Sequence, residues 1–244
     1  MKYPEHFEKL QKNDPEFAEQ FAHFAFDEVP NNEDAKLPPR TRYMAILAVL
    51  LGSSAIDAYK EMLPLALDNG LTPVEVKEIV YQAVAYLGMG RVYPFFKATN
   101  KVFKKRDIKM PLEPQTTTTY DDRREKGTQA QVDIFGDVMQ DFWKKGTVNY
   151  WLADNCFGDY YTRKGLTLAE RELVTFCFIY AQGGCENQLH GHTNGNLRMG
   201  NDREFLTKVV LNCVPFMGYP RSLNAIAVIN EVADQYEKAQ NKDK

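Results

Sequence analysis

Between Gly183 and Gly200 the chain reads GGCENQLHGHTNGNLRMG, which holds one of its four cysteines and two of its four histidines. With helical geometry after Gly184, Cys185 and His192 fall about 20° apart around the axis and about 10.5 Å apart along it. Gln188 and Leu189 lie between them, and His190 falls about 140° from Cys185, beside Glu186 at i, i+4 spacing. A Cys185–Gln188–His192 stripe would offer a thiol, an amide and an imidazole to one surface. Two chemistries fit: proton transfer at His192, and nucleophilic or redox chemistry at Cys185. Cys185 follows Gly183-Gly184 at an expected helix N-terminus, where thiols are reactive. The competing reading of Cys185 is a small buried hydrophobe. Glu172 is the third candidate. In Thr167-x-x-Glu170-Arg171-Glu172, Glu170 suits the capping box, and an acid early in a helix also suits the dipole.

Other chemistries find less support. On a helix His190 and His192 diverge by about 200°, so they cannot share one ion, and no further ligand cluster suggests a metal. His6 and His23 read as surface or satisfied core positions. Cys177 and Cys213 sit on apolar stripes and read as core; Cys156 carries no local motif. The sequence has no glycine-rich phosphate loop, no Gly-x-Ser-x-Gly elbow and no Walker lysine. Arg221, in Gly218-Tyr219-Pro220-Arg221, could contact an anionic substrate or hold an interhelix turn, as Arg91 would in the corresponding place.

These side chains need helices to hold them. Phe17, Phe21, Phe24 and Ala25 recur at helix spacing after Asp14-Pro15, so residues 1–30 are expected to be helical. Asn31–Pro39 reads as a loop. Pro38-Pro39 then opens an apolar helix over Thr41–Leu51 that stops at Gly52-Ser53-Ser54. Ala55–Asn69 is a further helix with Gly70 as its cap, and Pro64 lies inside it. Thr72-Pro73-Val74-Glu75 starts another, whose stripe Val76, Ile79, Val80, Ala83, Val84 and Leu87 ends at Gly88. Pro94 is expected to begin the next helix, to about Lys104. Lys105–Lys126, with two prolines and four consecutive threonines, reads as a linker.

The second half repeats the first. Moved forward by 130, the Val76–Leu87 stripe lands on Leu206, Val209, Val210, Cys213, Val214 and Met217, and Gly88 lands on Gly218. An offset of 129 pairs Leu37 with Leu166 and Arg42 with Arg171, which puts one inserted residue near Gly183-Gly184. No alternating run suggests a sheet. The expected fold is all-α, a tandem duplication with a first unit at 1–104, a linker at 105–126 and a second unit at 127–244. The copies differ where chemistry would sit: His192 corresponds to Met62, Gln188 to Ala58 and Glu172 to Tyr43. Only the second copy is therefore expected to carry a site.

Composition sets the class. With 44% hydrophobic and 26% charged residues the chain reads as an ordinary soluble globular protein. A net charge of −3 without a basic block argues against a nucleic-acid face. The polar start excludes a signal peptide, and the longest apolar run, Met44–Leu51, is too short to span a bilayer. Sparse cysteines with no CxxC pair suit reduced thiols in the cytoplasm.

Taken together, these landmarks resemble the carboxymuconolactone decarboxylase-like proteins, related to the alkylhydroperoxidase D group. The second copy carries the resemblance from Gly127 to Val232. Its marks are Gln131–Gly136, Gly165-Leu166-Thr167, Arg171-Glu172-Leu173, Gln188–His192 and Gly218–Ala225; the first copy, Leu37–Phe103, matches more weakly. The resemblance implies an all-helical fold, a threefold assembly and, for a two-unit chain, a homotrimer. It places acid–base roles on His192 and Glu172 and aligns Cys185 with the first cysteine of the peroxidase branch. Gln188 stands where the second cysteine belongs, which weighs against disulfide cycling. The implied activity is a cofactor-independent lyase or isomerase acting on a small carboxylated lactone or related ring, with Gln188 and Arg221 toward the substrate. A thiol peroxidase centred on Cys185 and a non-catalytic oligomeric module are the alternatives.

Overall fold

The computed structural model describes residues 8–242, and every regular element among them is helical. Helix α1 (Glu8–Asn13) and α2 (Pro15–His23) lead through a π-helical segment, Phe24–Glu28, into α3 (Val29–Asn31). Four longer helices follow: α4 (Pro39–Gly52), α5 (Ile56–Asp68), α6 (Pro73–Leu87) and α7 (Met89–Lys105). Next come α8 (Arg123–Phe135) and α9 (Thr147–Trp151), the latter continuing into a second π-helical segment, Leu152–Tyr161. The chain closes with α10 (Leu168–Gln182), α11 (Glu186–Arg198), α12 (Arg203–Met217) and α13 (Tyr219–Lys242). His6 lies outside the described residues. His23 is exposed and faces Asp27 at 3.1 Å.

The duplication is visible in the helix bounds: α5 and α6 recur 130 residues later as α11 and α12, each with the same length. The extra residue lies at the end of α10, which has 15 residues against 14 in α4; Gly183 and Gly184 follow it, both at positive φ (69° and 70°), a region open to glycine at little cost. The same local chemistry starts one long helix in each repeat. Thr72 and Glu75 form a reciprocal capping box on α6, and Thr167 and Glu170 form one on α10. Arg40 pairs with both capping glutamates, reaching Glu170 at 2.7 Å, so one guanidinium ties the two helix starts together.

Two boundaries depart from the sequence expectation. Helix α7 begins at Met89, so Pro94 lies inside it. Gly88, at φ 78°, turns the chain, and burial of Val92 and Phe95 carries the first turns past the proline. Helix α8 begins at Arg123, leaving 106–122 irregular. This segment is docked along the second repeat: Thr117 donates to the Thr162 carbonyl at 2.7 Å, and the Lys164 amide donates to the Gln115 carbonyl at 2.9 Å.

Both repeats share one core. Met44–Leu51 is buried on all sides, so the longest apolar run in the sequence is a central helix rather than an amphipathic one. It packs against Phe176, Phe178 and Ala181 of α10. A β-carbon added at Gly52 would stand 2.7 Å from both Ala181 Cβ and the Phe178 carbonyl oxygen, which shows how closely α4 and α10 approach. The polar contacts across this interface are reciprocal. Arg42 donates to Asn212 at 3.0 Å, and its counterpart Arg171 donates to Gln82, the counterpart of Asn212, at 2.8 Å. The chain is thus arranged like a two-fold dimer fused end to end.

Helix α8 and the second π-helical segment meet backbone to backbone at Gly127 and Gly158. A β-carbon at Gly127 would collide with the Ala153 carbonyl oxygen and lie 2.5 Å from the Gly158 nitrogen. This contact sets where Phe135 and Tyr161 stand. Because the neighbouring atoms are backbone, Gly127→Ala should destabilise the protein by about 1–3 kcal/mol or more. Denaturant midpoints within error of wild type would show that the crossing has slack.

Candidate active site

Glu172 starts from an unusual position: a carboxylate with no solvent exposure, near the start of α10. Glu170 takes the capping role, which leaves Glu172 free to point inward. Burying an ionised carboxylate costs several kcal/mol unless hydrogen bonds replace its water. Both oxygens are satisfied. Tyr161 donates to Oε1 at 2.7 Å, and His192 Nδ1 stands 2.9 Å from Oε2. The residue inserted at the end of α10 does not separate the pair.

Helix α11 is shaped to allow this approach. Gly195, one turn after His192, lies directly over Glu172: a β-carbon there would overlap Oε2 and stand 2.8 Å from Phe135 Cε1. Asn196 locks the two helices together, its amide donating to the Glu172 carbonyl at 2.9 Å and to the His192 carbonyl at 2.7 Å. The imidazole, 12% exposed, sits edge-on to Tyr86 and to Phe135, both with ring centroids 5.5 Å away.

Tyr86 comes from α6, in the first repeat. Its hydroxyl lies 2.8 Å from that of Tyr161, which also lies 2.8 Å from Thr175 Oγ1. Gln82, one turn earlier on α6, donates to Thr175 Oγ1 at 2.8 Å. Cys156 Sγ reaches the Tyr86 hydroxyl at 3.7 Å. Burial pushes both tyrosines well above the usual phenol range, with the Glu172 charge adding to the effect, and pushes the Cys156 thiol up to about 12. All three hydrogens therefore stay in place through the neutral range. The sequence reading missed Tyr86, Tyr161, Thr175, Gln82 and Gly195. Only the Gly195 and Asn196 positions, three and four residues after His192, carried a local signal.

The other sequence candidates stand apart from the pair. Cys185 is the N-cap of α11, at φ −134° and ψ 42°, so extrapolating a helical stripe through it fails. It is half-buried, accepts from Gln182 Nε2 at 3.3 Å, and lines a cavity of about 270 Å³ with Leu189, Arg221 and Asn224. Neither His192 nor Glu172 lines that cavity. Arg221 lies across Gly183, its guanidinium 3.1 Å from where a β-carbon would be. Gln188 is exposed. Cys156, Cys177 and Cys213 are buried free thiols, and His190 turns to Glu231 of α13 at 3.9 Å. A groove of about 850 Å³, lined mainly by α12 and α13, holds no candidate residue.

In the first repeat the positions of Glu172 and His192 hold Tyr43 and Met62, both buried. That half of the interface is packed where the other half is polar. Gly195→Ala tests how closely the polar half is fitted. It should cost about 1–3 kcal/mol by overpacking and force Glu172 away from Nδ1, read as a lower melting temperature together with a changed imidazole environment in nitrogen NMR. An alanine accepted with neither change would mean that α11 can shift away without loss.

Comparison with known proteins agrees with the duplicated architecture. No curated protein matches the chain. The sequence profile described as the carboxymuconolactone decarboxylase family matches it twice, over residues 15–101 and 147–231. Each match begins at the short helix that precedes a π-helical segment and ends within the last helix of its repeat. The chain is a member of the carboxymuconolactone decarboxylase family, built from two tandem family units.

Proposed function

We propose that the second repeat is an acid–base catalyst, a cofactor-independent lyase or isomerase acting on a small carboxylated lactone or related ring. The observation that carries this reading is the buried Glu172 beside His192 Nδ1 at 2.9 Å. A carboxylate in that position holds the imidazole in one orientation, leaving Nε2 to exchange a proton with a substrate. In decarboxylation of a β,γ-unsaturated lactone acid, the bond from ring carbon to carboxylate breaks and CO₂ departs. The electron pair passes into the ring as a dienolate. The imidazolium returns one proton to a ring carbon from Nε2, and solvent restores it. Arg221 and Gln188, which stand apart from the pair on α13 and α11, would serve the substrate only from the rim.

The thiol reading draws support from the half-buried Cys185 and its cavity. It lacks a resolving partner, since the remaining thiols are buried and Gln188 replaces the second cysteine. Turnover of carboxylated lactones, followed by CO₂ release and by deuterium uptake from solvent, separates the two. His192→Ala should abolish turnover, and Cys185→Ser should keep most of it. Met62→Ala should cost ~2–5 kcal/mol of stability without comparable loss of chemistry. Sustained hydroperoxide reduction that Cys185→Ser stops would replace the acid–base reading with the thiol one.

A homotrimer is part of the same proposal. Both repeats expose apolar side chains at the same two positions of their last helix: Met89 and Tyr93 on α7, Tyr219 and Leu223 on α13. Patches repeated within one chain suit a closed ring of repeats. Light scattering at micromolar concentration should give three times the 28.0 kDa chain mass; a stable monomer would remove this part of the proposal.

A further inference from the structure

With Glu172 as an acceptor, the hydrogen bonds around it run in one order, and side chains of the first repeat take part in it. Arg171 Nη1 can only donate, and it meets Gln82 Oε1 at 2.8 Å. The other end of the same amide meets the Arg171 carbonyl at 2.9 Å and Thr175 Oγ1 at 2.8 Å, so Nε2 is the donor to both. Tyr161 has one hydrogen and three oxygen partners. It gives that hydrogen to Glu172 Oε1 and therefore accepts from Tyr86 and Thr175. With its hydroxyl proton committed to Tyr161, Tyr86 accepts the Cys156 S–H. The hydroxyl and thiol hydrogens of Cys156, Tyr86, Thr175 and Tyr161 thus run toward Glu172.

We infer that Tyr161, together with Tyr86 and Gln82 contributed by the first repeat, are positioning residues. By converging their hydrogens on Glu172 they keep it an acceptor, so that His192 must donate from Nδ1 and present Nε2 to the substrate. The first repeat, which lacks its own Glu and His, is in this way a working part of the second repeat's site. The inference rests on His192 being the acid–base group, but its geometry can be tested without a substrate.

The experiment uses the full chain with ¹⁵N-labelled histidine, the His192 signals being assigned by their loss in His192→Gln. The wild type should show a protonated Nδ1 and a bare Nε2 in neutral His192, with slow exchange of the Nδ1 hydrogen. Tyr161→Phe keeps the ring that stacks on Phe157 at 4.3 Å and removes only the donor. Exchange of the Nδ1 hydrogen should then quicken about tenfold or more, the loss expected for a hydrogen bond to a charged group. Tyr86→Phe, one bond further away, should give a smaller change in the same direction and serves if Tyr161→Phe does not fold. Tyr59→Phe is the control, since that buried hydroxyl bonds Thr99 at 2.8 Å in the first repeat and has no link to Glu172. An Nε2-protonated tautomer in the wild type overturns the inference. So does exchange unchanged in both tyrosine variants, or quickened equally in Tyr59→Phe. Failure to find a lactone substrate would count against the proposed reaction and leave this result standing.

Discussion

The structure depends on holding a carboxylate where water does not reach. Glu172 has no exposure, and every unusual feature nearby answers its need for hydrogen-bond donors. Tyr161 is held over it by the backbone contact of Gly127 with Gly158. His192 is brought to it by the missing side chain at Gly195. Asn196 fastens α11 to α10 at the same level. A second buried charge lies one residue away. The Arg171 guanidinium is bound by Glu78 at 3.1 Å and by the carbonyls of Arg163 and Lys164. Placing a paired cation beside a paired anion lets the core carry both at the centre of an otherwise apolar interface.

Fusion of the two repeats has allowed their halves to diverge while the frame between them stays symmetric. The reciprocal contacts of Arg42 with Asn212 and of Arg171 with Gln82 persist in both halves. Around them, one half carries glutamate, histidine and tyrosine, and the other Tyr43 and Met62. Met62 needs no hydrogen-bond partner and so tolerates change in its neighbours. The polar half needs all of its partners at once, and one of them, Tyr86, belongs to the opposite repeat. On the proposed reading, this asymmetry is how a repeat without the Glu–His pair keeps a role in the site of the other.

The thiols follow the same division between packing and chemistry. Cys177 and Cys213 are buried side chains whose thiols burial pushes upward, so they behave as small hydrophobes. Cys156 is drawn into the polar cluster through Tyr86. Cys185 lines a cavity of about 270 Å³, beside an arginine and away from the imidazole. Chemistry that needed thiol and imidazole together would require the start of α11 to rearrange.

The sequence by itself determined the helices, their capping boxes, the duplication with its inserted residue, the buried stripes with Cys177 and Cys213, and the His192 and Glu172 positions. These rest on interactions within about one helical turn or on a pattern repeated along the chain, and both are written in residue order. Tertiary structure decided the rest. Tyr86 lies far before Glu172 in the chain and on the other repeat, and no spacing rule joins them. Gly195 reads as an ordinary helix glycine until Glu172 is placed against it. Cys185 shares a stripe with His192 only if it is helical, and as the N-cap it is not. Helix bounds follow from local backbone energetics, whereas the partners of a buried charge are set by which faces of distant helices meet, and that is fixed only when the core closes around them.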